Sequence, residues 1–472
     1  MSGSKRIAVK VPVLARVEGE GALDLAIENG AITELKLEIY EPPRLFEKFL
    51  EGCESQAVID RVARICGICP VAYQMSAVQA YEKAWGVEVA PWARDMRRVL
   101  YCGEWIQSHA LHIHLLAAPD FLGFESATAM ARDYPDEVRR GLRLQGLGNE
   151  LIALFGGRAV HPIGVRVGGF HHAPEPARVA AMVGKLNEAR VEAGALLDWL
   201  LTLGLPTDEQ DFINVAMRHP QEYPMNAGRI VSSARHDLDP EDFEQHFQEF
   251  QAPHSTALHA HLDGRPYLVG PLARLNLNAD QLPGDLTQRL AAAGIELPSR
   301  NMYHSIIARA VELLYAIDEA LRLLSDYQRP DRPYVDATPG PGGAAWVTEA
   351  PRGILWHRYR LDDQGRVLSV NIVPPTSQNQ ARIEEDLRLG LTRGGLDRDE
   401  DALRSQGEMI IRNYDPCISC ATHFLRGRSD ADGRTRTAIH AQTEWLLSLL
   451  SDRNSSILSM DSTGLPRAKP CA

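Results

Sequence analysis

Long apolar runs are missing from this 472-residue chain. No stretch of 18 apolar residues occurs, and Met1 to Lys10 carries no apolar core of signal-peptide length. No helical membrane span is expected, and a cytoplasmic location is the default, although a subunit can also be exported on a partner's signal. Cysteine is scarce as well. Seven residues, at 53, 66, 69, 102, 417, 420 and 471, are too few for a disulfide framework. They point instead to metal or redox chemistry in a reducing compartment. Positive charge is in deficit: 50 Lys and Arg against 62 Asp and Glu give a net charge of -12, spread along the chain. A nucleic-acid groove and an anionic membrane surface are therefore not expected as partners. No Gly-x-Gly-x-x-Gly follows a strand-like run, so the chain lacks the mark of a dinucleotide-binding turn.

What is present is an ordinary globular composition, 44% hydrophobic and 24% charged, with enough length for a large core. Two short cysteine pairs stand out. One is Arg64-Ile65-Cys66-Gly67-Ile68-Cys69-Pro70, and the other is Asp415-Pro416-Cys417-Ile418-Ser419-Cys420-Ala421-Thr422-His423. Cys-x-x-Cys spacing turns two sulfurs to one side of a turn, where both reach one metal. A metal site needs about four ligands, so the economical reading joins the two pairs as one four-thiolate site. Alone, either pair would read as a structural zinc half-site or a thioredoxin-like redox pair. A zinc ribbon, however, closes its loop within tens of residues, and a redox pair leaves the second pair unexplained. Four soft thiolates suit nickel, iron or zinc. Cys53, Cys102 and Cys471 read as bystanders.

The periodicity predicts a mainly α protein with small β-sheets. Alternating apolar residues over 6–40 give strands, and Asn29-Gly30 is a hairpin turn because both residues tolerate positive φ. A short helix is expected at 44–51, ended by Gly52. Long helices are expected at 71–85, 92–116, 136–154, 176–203, 302–324, 378–391 and 399–414. Strands are expected at 346–360 and 367–373, joined by Asp362-Asp363-Gln364-Gly365. Residues 205–300 are mixed and show no clear repeat.

The two cysteine segments together resemble the paired signature of nickel–iron hydrogenase large subunits. Arg16-Val17-Glu18-Gly19, the helix with Glu47, Glu349-Ala350-Pro351-Arg352-Gly353 and Val373-Pro374-Pro375-Thr376 fit the same pattern, so the resemblance spans residues 16 to 423. The run Cys69-Pro70-Val71-Ala72-Tyr73-Gln74-Met75-Ser76 is most like the cytoplasmic NAD(P)-linked members, including the sulfhydrogenases. The resemblance implies long helices around a buried metal site. It implies Cys66 and Cys417 as terminal nickel ligands, with Cys69 and Cys420 bridging nickel to an iron carrying CO and cyanide. Dihydrogen would be split heterolytically, Cys417 taking the proton and Glu18 passing it on. Arg352 and Pro351 would face the cyanides, with Asp415 orienting the guanidinium and Thr376 donating to a cyanide. Glu47, His423 and a backbone carbonyl near Asn371 would hold magnesium.

Plainer readings stand beside these. Glu18 reads as a solvated loop carboxylate, Arg352 as a surface ion pair, and Asp415 as a turn cap. Thr376 reads as a helix N-cap and Glu47 as an exposed helix position. The sequence also departs from relatives. Glu20 and Tyr73 stand where others carry histidine, and Ser108 where respiratory members carry aspartate. His109, His112 and His114 read as polar packing on a helix.

Residues 1–423 are expected to form a single catalytic domain. The resemblance implies that 424–472 is a propeptide, removed by a maturation endopeptidase after a nickel chaperone has delivered the metal. An amphipathic helix at 439–450 would keep the C-terminus from closing over the site. The implied partners are a small subunit with iron–sulfur clusters and diaphorase-type NAD(P)/FAD subunits, because this chain has no further cysteine sets. Three other readings share parts of the pattern. A relative of the quinone-site subunit of respiratory complex I would lack the ligand cysteines. A hydrogen sensor would keep the site with a regulatory output, and a zinc-stapled helical protein would hold zinc alone.

Overall fold

The computed structural model describes residues 6–422, together with the backbone of a two-strand pair, Arg428–Ser429 with Thr435–Arg436. The proposed helix at 439–450 and His423 lie outside the described residues. Residues 6–422 lie within one compact unit.

Proline placement explains where most long helices begin. Pro70–Trp85, Pro91–Leu111, Pro135–Gly156, Pro176–Leu201 and Pro375–Gly394 all carry proline in the first turn. Proline costs nothing there, because the amide it lacks would have no intrahelical partner, and its fixed φ already suits a helix. The Pro91–Leu111 helix is buried along almost its whole length and packs against Pro135–Gly156 and Ser305–Leu324. Trp105 on this helix is fully buried, a contribution of about 2–3 kcal/mol by transfer from water.

The N-terminal residues form the expected antiparallel sheet of Arg6–Val11, Gly21–Glu28 and Ala31–Ile39. Asn29 and Gly30 both have positive φ at its hairpin. The sheet's inner face shares a buried cluster with Ile383, Leu387, Ile411 and Ile418, so the first described strands pack on the last described helices. A second sheet contains Gly342–Ala350, Gly353–Leu361 and Val367–Val373.

Two expectations change. The run 346–360 is not one strand. It folds back at Pro351-Arg352 into two antiparallel strands, with Ala350 opposite Gly353. Apolar β-formers flank the turn on both sides, so alternation alone does not reveal it. The helix predicted to 116 stays α-helical only to Leu111, then continues as a π-helix, His112–Ala117. Residues 205–300 resolve into short strands and helices, including the antiparallel pair Phe247–Gln251 and Leu258–Leu262. No helix among the described residues is long and apolar enough to cross a membrane.

Candidate metal centre

Both cysteine pairs lead into helices. Cys69 is the N-cap residue of Pro70–Trp85, and Cys417 holds the same place before the short Ile418–Ala421 helix. The fold brings all four sulfurs within 4.8 Å of one another, and all four are buried. Cys66 Sγ faces Cys417 Sγ at 3.4 Å, Cys69 Sγ faces Cys420 Sγ at 3.6 Å, and Cys417 and Cys420 are 2.9 Å apart. None is in a disulfide. Cys53 and Cys102 stand outside the group, and Cys471 lies outside the described residues.

The donor set fits soft divalent metals. Burial resists ionisation of Cys66, but the three neighbouring sulfurs and Arg352 outweigh it and hold this thiol well below its usual range. Cys420, Cys66 and Cys69 push Cys417 well up, and burial adds to that. Cys69 and Cys420 are pushed up too. The protein alone thus favours ionisation at one sulfur. Four thiolates this close need cationic compensation.

Glu18 reaches this cluster on a loop that crosses the end of the chain. Its backbone forms an isolated parallel bridge with Cys417, Ile418 N–H donating to Glu18 O at 2.9 Å. Its Oε2 accepts from Cys417 Sγ at 3.0 Å and from Ser419 N–H at 3.1 Å. Gly19 makes the crossing possible. Its φ is +91°, and a Cβ there would lie 2.6 Å from Ile418 Cβ. Arg16 anchors the loop through Asp120, which Arg412 also grips at 2.8 and 2.9 Å. Further out, Ser419 Oγ donates to Glu41 Oε2 at 3.1 Å.

The turn at Pro351-Arg352 places Arg352 beside the cluster. Its Nε donates to Asp415 O at 2.7 Å and Nη2 to Asp415 Oδ1 at 3.0 Å, while Ser108 Oγ accepts a longer bond from Nη1, 3.4 Å. Both Arg352 and Asp415 are buried, so the surface-pair reading of Arg352 fails. Thr376 is not an N-cap: Pro374 holds that position, and Thr376 Oγ1 accepts from Cys417 N–H at 3.0 Å. The Pro351 carbonyl accepts from Arg274 Nη2 at 2.9 Å.

Arg274 is the centre of a network that the residue pattern did not reveal. Its five N–H donors reach both Glu312 oxygens, Glu349 Oε2 and the carbonyls of Ala350 and Pro351. Glu349, conspicuous in its motif, also accepts from Met217 N–H at 2.6 Å. Burial pushes Glu349 up to about 7 against the pull of Arg274, whereas Arg274 and His109 hold Glu312 down at about 2 despite burial. Arg44 was likewise missed. Its Nη2 donates to Ile65 O at 2.7 Å and also to Ser419 O, joining the two ligand segments. No sequence spacing could single out these two arginines, since their partners are distant in the chain. Glu104 is buried and accepts from Val71 and Ala72 N–H, capping the helix that follows Cys69.

Glu47 is not merely an exposed helix position. Its Oε1 accepts from Ile372 N–H at 2.7 Å. This bond sets Glu47 against the peptide that joins Asn371 to Ile372, the strand position at which the resemblance implies a backbone carbonyl.

His109, His112 and His114 form no ligand cluster. They bond respectively to Glu312, the Arg412 carbonyl and the Ala110 carbonyl, as polar packing predicts. Tyr73 is buried with its hydroxyl unpartnered, and burial together with Cys420 and Cys69 pushes its pKa well up.

A mainly helical body with one buried group of four cysteine sulfurs, drawn from segments 351 positions apart, defines a protein built to hold a thiolate-ligated metal. Comparison with known proteins names the class. The family model for nickel-dependent hydrogenase matches residues 44–140. Sulfhydrogenase 1 subunit alpha of Pyrococcus furiosus is 32% identical over 424 residues, 89% of this chain and 99% of that protein. The NAD-reducing hydrogenase HoxS subunit beta of Cupriavidus necator is 28% identical, covering 87% and 94% of the two chains. A crystal structure of an NAD+-reducing [NiFe]-hydrogenase in the H2-reduced state superposes with a TM-score of 0.80 at 26% identity, over 89% of this chain and 99% of that one. The chain belongs to the nickel-dependent hydrogenase family. It is a hydrogenase with the nickel–iron large-subunit fold.

Proposed function

We propose that this chain is the hydrogen-activating subunit of a cytoplasmic hydrogenase that exchanges electrons with NAD(P) through partner subunits. The observation that carries this reading is the Glu18 carboxylate, 3.0 Å from Cys417 Sγ at the edge of the four-thiolate cluster. Cys66 and Cys417 would be terminal nickel ligands, and Cys69 and Cys420 would bridge to iron bearing CO and cyanide. When bound, the two metals supply Lewis acidity toward dihydrogen and an electron store.

The chain's own residues manage the proton. Heterolysis separates H2 into a proton and a hydride equivalent, and withdrawal of two electrons from the latter releases the second proton; Cys417 Sγ would take the first. Glu18 Oε2 stands ready to receive it, and the Ser419 N–H keeps that oxygen turned toward the sulfur. Arg352, held by Asp415, would present positive charge toward the iron's cyanides. Thr376, its hydroxyl oxygen already engaged by Cys417 N–H, keeps its own proton to donate to a cyanide. The Pro351 segment would line the same wall. Glu47, a backbone carbonyl near Asn371 and His423 would hold magnesium, two of the three supplying the oxygen donors that this ion favours.

Electrons would leave through the iron–sulfur clusters of a small subunit to diaphorase-type NAD(P)/FAD subunits. The similarity to a sulfhydrogenase and to NAD-reducing hydrogenases supports this choice. The functional species would be residues 1–423, with 424–472 removed by an endopeptidase once a chaperone has supplied nickel. Elemental analysis of the native complex, with mass mapping of the C-terminus, tests the reading. About one nickel per large chain, iron in excess and a chain ending at His423 are expected. Zinc without nickel, on a full-length chain from cells able to mature hydrogenases, would reject it.

A further inference from the structure

Beyond the tetrathiolate, the described residues hold two groups of side chains close enough to share a cation: His236, His246 and Asp263, and His254, His259 and Glu384. The first is satisfied as it stands. His236 Nε2 and His246 Nδ1 meet the two Asp263 oxygens at 2.8 and 3.2 Å, and His236 Nδ1 meets Ser232 Oγ at 2.7 Å. The second is not. His259 is only 1% exposed, and neither ring nitrogen has a hydrogen-bond partner. Its Nε2 stands 3.5 Å from Glu384 Oε2, near enough for charge attraction but without hydrogen-bond geometry. Across the same carboxylate, His254 Nε2 lies 2.7 Å from Oε1. Buried polar groups nearly always have a partner, and an exception calls for an explanation such as a bound ion.

We propose that His254, His259 and Glu384 bind a divalent cation of the zinc class, with water completing the coordination. Two imidazoles and one carboxylate are a donor set that zinc favours. The three ligand atoms lie within 4.8 Å of one another, as ligands of one ion must. Neighbouring backbone holds them in place. Leu37 N–H donates to Glu384 Oε1 at 3.1 Å, and Thr256 N–H donates to Ile39 O at 2.7 Å, fixing the loop that carries His254. The ion ties that loop and the Leu258–Leu262 strand to the Pro375–Gly394 helix. Thr376, in the first turn of the same helix, accepts from Cys417 N–H, so the ion sits on an element that also touches the catalytic cluster.

The test uses the intact complex, stripped of loosely held metal on a chelating resin and then titrated with Zn2+ alone. The wild-type complex is expected to take up one zinc per large chain more than His254→Gln or Glu384→Gln, with binding at least about tenfold weaker in the variants, the loss expected when one ligand of such a site goes. Zinc should raise the melting temperature of the wild type and leave the variants unmoved. Retained hydrogen-uptake activity in the variants shows that they are folded. Should either variant fail to fold, Co2+ added to the wild type should give tetrahedral visible bands in a difference spectrum, displaced by Zn2+. Equal zinc uptake in wild type and folded variants overturns the assignment, as does a wild type without cobalt bands.

Discussion

At the scale of single residues, the site depends on a few side chains whose partners leave little freedom. Glu18 receives bonds from both Cys417 Sγ and Ser419 N–H, which aim one carboxylate oxygen at the sulfur. Glu18→Gln keeps the shape and removes the base. It should lower D2/H+ exchange about 100-fold or more, the usual worth of a positioned acid–base group, while nickel and iron content stay unchanged. Exchange at the wild-type rate would remove Glu18 from the proton path. Buried histidines make a second prediction. Burial holds His109 and His114 down at about 4, against an ordinary 6.5, and outweighs the hydrogen bonds each makes. The unfolded chain therefore binds protons that the folded chain refuses, so stability is full above about pH 6.5 and is lost as the pH falls toward 4. His114→Gln removes one such group. Between pH 7 and pH 5 its denaturation free energy should fall less than the wild type's, by about 1–2 kcal/mol. Equal losses would show that His114 titrates in the folded protein.

At the scale of elements, the Pro351-Arg352 turn decides whether a guanidinium reaches the cluster. Gly353 has a φ of +132°, and a Cβ there would lie 2.6 Å from Val269 Cγ2 and 2.9 Å from Gly270 N. Gly353→Ala should destabilise the protein by about 1–3 kcal/mol through overpacking and backbone strain. Hydrogen uptake should fall with it, since Arg352 would shift off Asp415. A variant with wild-type melting and uptake would show that the turn is not critical. Sequence reading succeeded where the signal is local. The cysteine pairs, the Asn29-Gly30 hairpin and the apolar faces of the long helices each depend on residues a few positions apart. It failed where two β-forming runs hid a turn, and where one buried arginine, Arg274, serves Glu312, Glu349 and two carbonyls from remote segments. A buried charge network leaves no periodic trace.

At the scale of the whole molecule, the cluster holds the two ends of the described chain together. The N-terminal sheet packs on Ile411 and Ile418, and Arg44 bonds to the carbonyls of Ile65 and Ser419 in the two ligand segments. Arg44→Ala should therefore loosen the metal rather than the chemistry. Nickel loss from the purified complex during dialysis against a chelator should speed up about tenfold or more, as it does when an outer partner of a metal site is removed. Unchanged nickel retention would mean that the four sulfurs hold register by themselves.

The separation of the two half-sites has a consequence during synthesis. Cys66 and Cys417 meet in space but stand 351 positions apart in the chain. A ribosome adding about 5–20 residues each second needs roughly 20–70 s to travel from one pair to the other. Through that interval the nascent protein displays a lone dithiol, a lure for zinc or an oxidant and too small for the proper cargo. Whatever guards this enzyme's assembly must begin its watch on Cys66 and Cys69 long before the last two ligands leave the exit tunnel.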